Sequence, residues 1–171
     1  MLNQRSSSSK GNLRVRVLLF ENQPLLVEAL TGLLEQLNDD MEIVLARDAD
    51  ELSREVGQDR SCELAFLGLP ALGEQSVQTI RLMRRSASAC KLVLFCDCTD
   101  RSRIKQCYAE GVDGIIPRDA DRDIVLAATR LVLAGGQYLP PEVFAPGNDS
   151  RDQADEFDGS DEYRLTPQQR K

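Results

Sequence analysis

The sequence predicts an α/β fold in which five parallel strands, in the order 2-1-3-4-5, are covered by helices on both faces. Three observations predict it. Short apolar runs alternate five times with segments whose apolar residues recur at helical spacing. The connections are short, as in successive βα units of one parallel sheet. A length of 171 residues gives one domain with tails, and right-handed crossovers favour this strand order.

Each element has a local reason. Leu13 to Phe20 alternates and then turns wholly apolar, as a buried parallel strand does. Pro24 suits the first turn of a helix, where its missing N–H costs little. Leu26, Leu30, Leu33, Leu34 and Leu37 then recur at helical spacing. Ile43 to Ala46 predicts the second strand, and a polar helix follows near Asp50 to Val56. Leu64 to Leu67 predicts the third strand. Val77, Ile80 and Met83 mark the third helix, with Arg81 and Arg84 on its wet side. Lys91 to Cys96 is the fourth strand, and Ile104, Cys107 and Tyr108 mark the fourth helix. Gly114 to Pro117 is a short fifth strand. Asp121 to Leu133 is the fifth helix, stopped by Gly135-Gly136. The sum is a flavodoxin-like (βα)5 arrangement.

Composition narrows the function. A hydrophobic fraction of 42% supplies a core, and no apolar run nears the roughly 18 residues that span a bilayer. The leader, residues 1–12, has no apolar stretch of the signal-peptide kind, so a disordered leader and a cytoplasmic protein are expected. Five cysteines in or beside apolar patterns fit a reducing compartment better than a disulfide framework. The net charge is −7, and residues 149–162 alone hold seven acids against Arg151. The remainder is nearly neutral and carries no basic run, so this piece is not expected to hold DNA itself. The segment 145–164 reads as a polar acidic linker.

Several stretches together carry a resemblance: VLLFENQPLLVEAL, FLGLP, KLVLFCD, AEGVDGIIPRDA and LAGGQYLPPEV. Over about residues 13–144 the chain resembles the receiver domains of LuxR/NarL-type response regulators. After the linker, residues 165–171 resemble the start of the LuxR-type helix-turn-helix. There Thr166 reads as an N-cap, Pro167 fits the first helical position, and Gln169 completes a capping box. A helix is announced and the chain stops, as in one cut before its DNA-binding domain. The resemblance thus implies a regulator that meets DNA through the missing C-terminal part.

The resemblance also implies a phosphorylation pocket, and here its positions have changed. The acid pair after the first strand is Glu21-Asn22, one carboxylate short of what a hard cation wants. Counting back from Pro70, the phosphorylated aspartate aligns with Phe66, which has no oxygen and would fill the pocket with a ring. The hydroxyl residue ending the fourth strand aligns with Cys96, the aromatic switch residue with Ile115, and the lysine after the fifth strand with Arg118. Gly73-Glu74 replaces an expected Asp-Gly. Arg118 beside Glu21 reads as an ion pair that replaces the metal and phosphoryl charge. Asp97 is a weaker alternative nucleophile, and Asp119 reads as a helix N-cap. With no histidine in the chain, Cys96 and Cys98 do not make a metal site and read mainly as apolar filler.

These readings converge on a degenerate receiver domain of a DNA-binding transcription regulator. It is expected to work by protein–protein contact, without aspartyl phosphorylation, enzymatic activity, cofactor or metal. A small-ligand or redox sensor using the altered pocket is the alternative. The fifth helix is apolar nearly all round, which suggests a homodimer contact. Its outward stripe is expected to hold Val125 and Val132, and its core stripe Ile124, Ala128 and Leu131.

Overall fold

The computed structural model describes residues 15–58, 61–97 and 100–144. Strands and helices alternate as follows: β1 Val15–Phe20, α1 Pro24–Leu34, β2 Met41–Ala46, α2 Ala49–Gly57, β3 Leu64–Gly68, α3 Glu74–Ser86, β4 Lys91–Cys96, α4 Arg101–Ala109, β5 Gly114–Pro117 and α5 Arg122–Leu133. The sheet is parallel, in the order β2-β1-β3-β4-β5, as the sequence predicts. No helix among the described residues is long and apolar enough to cross a membrane. The leader, the acidic linker and residues 165–171 lie outside the described residues.

The period-2 geometry of the strands splits the core into two layers. Ala65 and Leu67 of β3 face Leu52 of α2, Val77, Ile80 and Met83 of α3, and Ile104 and Cys107 of α4. Leu64 and Phe66 face Leu30 and Leu34 of α1 and Val125, Ala128 and Val132 of α5. Local chemistry sets the helix starts. Asp48 accepts from the Glu51 N–H at 2.8 Å, and Asp100 from the Arg103 N–H at 3.1 Å, each satisfying a donor the helix leaves free. Pro24 opens α1. The residue capping α5 is Asp121, not Asp119 as the motif suggested. Arg118 and Asp119 instead form a turn, closed by the Ala120 N–H bonded to the Pro117 carbonyl at 3.1 Å, before the helix begins.

The facing of α5 also differs from the sequence expectation. Val125 and Val132 are core residues, 4% and 0% exposed, while Ile124 and Leu131 are 43% and 45% exposed. Thr129 explains part of this. It lies in the buried stripe with its hydroxyl donated to the Val125 carbonyl at 2.7 Å, so its polarity is satisfied within the helix. Val125 and Val132 therefore cannot form an outward contact. Arg84 is not simply wet either: it reaches back to the Cys90 carbonyl at 2.7 Å and to Asp113 at 2.7 Å.

Candidate functional site

In an open parallel sheet, groups that act on ligands gather at the C-terminal ends of the strands. Glu21 follows β1 there, Gly68 ends β3, Cys96 ends β4 and Arg118 follows β5. Glu21 is 1% exposed, which demands that its charge be fully partnered. Its Oε1 accepts from the Asn22 and Gln23 N–H groups at 2.9 and 3.0 Å. Its Oε2 accepts from the Arg118 guanidinium at 2.8 Å. Arg118 in turn lies over the Phe95 ring, 5.6 Å from its centroid, and its N–H donates to the Cys96 carbonyl at 3.0 Å. Arg118 and Glu21 thus form an ion pair across the strand ends.

Sequence reasoning misplaced the β3 residue. Phe66 sits in mid-strand, opposite Leu19 of β1 and Val93 of β4. It is buried in the α1/α5 layer, with its ring 5.7 Å from that of Phe95. The register pairs Phe20 with Leu67, which brings the end of β1 to Gly68 instead. A Cβ built on Gly68 would strike Glu21 Oε2, with Glu21 Cδ at 2.9 Å and the Phe20 carbonyl oxygen at 3.0 Å. So Gly68, not Phe66, is the β3 residue at the pocket, and the space of its absent side chain is taken by Glu21. The count back from Pro70 misled because the strand runs two residues closer to that proline.

The remaining candidates do not all meet. Asn22 is exposed beside Glu21. Cys96 is fully buried and turned to the α3/α4 layer. Ile115 is fully buried in the same layer, opposite Leu94, and donates its N–H to the Tyr138 carbonyl at 2.8 Å. Asp97 is exposed just past β4. This edge does not fit a divalent cation. Hard cations favour several free carboxylates, but both oxygens of Glu21 are engaged, Asn22 is neutral, Gly68 has no side chain, and of these residues Asp97 alone brings an exposed carboxylate.

No protein-family model matches the chain. In overall shape it is similar to a LuxR family DNA-binding response regulator from Silicibacter pomeroyi. The TM-score is 0.65 at 21% identity, over 75% of this chain and 98% of that one. The fold is that of a response-regulator receiver domain. Two curated relatives are similar in sequence: the transcriptional regulatory protein LnrK of Bacillus subtilis (strain 168) and the transcriptional regulatory protein MctR of Rhizobium johnstonii. They are 21% and 26% identical over 131 residues, or 77% of this chain. The chain spans about three fifths of their length, 59% and 61%. On this fold the C-terminal edge of the sheet carries the Glu21–Arg118 ion pair and Gly68.

Proposed function

We propose that this chain is a degenerate receiver-like domain of a DNA-binding transcription regulator, working by protein–protein contact or self-association without aspartyl phosphorylation. The observation that carries the reading is Gly68. The β3 residue at the strand edge has no side chain, and Glu21, itself paired with Arg118, fills its place. A phosphoryl acceptor needs a free carboxylate there, and a bound cation needs oxygens that this pair has already spent. The relatives named above support the regulatory assignment. DNA contact is assigned to a part beyond residues 165–171, whose sequence resembles the start of a helix-turn-helix. For self-association, the α5 face that holds Ile124 and Leu131 now replaces the one expected from sequence.

The test is incubation with acetyl phosphate and Mg²⁺, followed by intact-mass measurement and sizing. The expected result is an unchanged mass and an unchanged elution position. A stoichiometric phosphate adduct, mapped for example to Asp97, would overturn the reading.

A further inference from the structure

Two thiols meet at the opposite, N-terminal edge of the sheet. Cys62 lies two residues before β3 and Cys90 one residue before β4. These strands are neighbours, with Leu64 opposite Lys91, and the Lys91 N–H donates to the Glu63 carbonyl at 2.9 Å. That register carries cysteines 28 residues apart to one spot, where the Cys90 thiol donates to Cys62 Sγ across 3.1 Å. Both line a cavity of about 360 Å³ together with Arg16 and Glu55. Cys62 is half-buried, so small molecules in the cavity can reach it, whereas Cys90 is 1% exposed.

We propose that Cys62 and Cys90 form a dithiol that hydroperoxides oxidise to a disulfide, Cys62 being the attacking sulfur and Cys90 the resolving one. The roles follow from their surroundings. The hydrogen bond from Cys90 lowers the Cys62 thiol from its ordinary value. Burial opposes this, and the backbone around Leu18 and Leu64 and the Arg16 charge support it. The same hydrogen bond, with burial, pushes the Cys90 thiol far up. Of the two, Cys62 thus gives up its proton the more readily, and Cys90 holds its own.

In the first step the Cys62 thiolate attacks the outer peroxide oxygen. An S–O bond forms, the O–O bond breaks, and the leaving oxygen takes a proton to give water or an alcohol. Sulfur loses two electrons to the peroxide and becomes a sulfenic acid. In the second step the Cys90 sulfur attacks the Cys62 sulfur. An S–S bond forms, the S–O bond breaks, and hydroxide leaves with the Cys90 proton as water. The thiolate that held the Cys90 proton in place is gone by then. The sulfurs must close by about 1 Å to reach bonding distance, a small motion at the start of two strands. Cys96 and Cys107, at 0% and 1% exposure, are shut in the core, and burial raises the Cys107 thiol.

The experiment treats the reduced whole chain with limiting hydrogen peroxide and maps peptides without reduction. The expected first product has lost two hydrogens and holds a Cys62–Cys90 cross-linked peptide. In Cys90→Ser, Cys62 should stop at a sulfenic acid that dimedone traps. In Cys62→Ser, Cys90 should stay unmodified at the same dose. A first product linked through Cys98, or oxidation of Cys96 or Cys107 before Cys62 in the parent chain, overturns the proposal without reference to either variant.

Discussion

Replacing Gly68 with alanine asks whether the pocket is closed by contact or merely lacks a side chain. Gly68 has no positive φ, so backbone preference alone favours alanine in a strand by roughly 0.5–1 kcal/mol. The added Cβ, however, meets the Glu21 carboxylate, and the Phe20 carbonyl oxygen at 3.0 Å is backbone that cannot turn aside. Glu21 would have to swing out and give up hydrogen bonds at 2.8–3.0 Å, each worth about 1.5–3 kcal/mol for a charged group. Losing two of them outweighs the backbone gain. A net destabilisation of about 2–4 kcal/mol is expected, part of it from Arg118 left without its buried partner. Urea unfolding followed by circular dichroism reads this as a lower midpoint at unchanged slope. In a Glu21→Ala background the same substitution should cost less, with a coupling of about 1–3 kcal/mol. A Gly68→Ala protein as stable as the parent would refute the close approach.

The α5 face and the Asp113 network give the other tests. Val125→Glu puts an unpaired charge into the core and should cost about 3–5 kcal/mol, whereas Ile124→Glu, on the exposed side, should stay within about 0.5 kcal/mol. Sizing of the Ile124→Glu protein then checks the proposed self-association, which predicts a shift toward monomer. Asp113 accepts from the Leu92 N–H at 2.9 Å, Arg84 at 2.7 Å and Lys91 at 3.3 Å. Burial pushes its carboxyl up, but these bonds together hold it below the ordinary aspartate value. A depressed folded value means the contribution is present above the unfolded pKa, near 4, and lost as pH falls through the folded one. Asp113→Asn should therefore cost about 2–3 kcal/mol at neutral pH, and unfolding series at falling pH should show the gap to the parent closing.

The fold was legible because it rests on local signals that agree. Pro24 opens α1, Val77, Ile80 and Met83 are all buried, and Lys91–Cys96 is β4 as read. The Glu21–Arg118 pair was legible because each flanks a strand end that the motifs fix. Three features were not. Helix α5 has apolar residues on both sides, so periodicity alone could not choose its inner face, and the bonded hydroxyl of Thr129 looked like an outward signal. The β3 edge was set by strand register, which a proline spacing does not measure. The Cys62–Cys90 contact depends on β3 and β4 being neighbours, yet one signal was available: each cysteine sits just ahead of an apolar run that enters the sheet from the same side.

Glu21 and Arg118 join strands that do not touch. Between β1 and β5 lie β3 and β4, a gap of roughly 14 Å at ordinary strand spacing, and the two side chains close it over the blunt end of β3. They are 97 residues apart, so their contact closes a long loop, whose entropic cost folding must meet. An outermost strand such as β5 would ordinarily fray by itself. Here its upper end cannot peel without releasing the first strand's buried carboxylate as well. The strap makes the first and last βα units open together, so amide exchange in β5 should follow the slow, global class, not that of a loose edge.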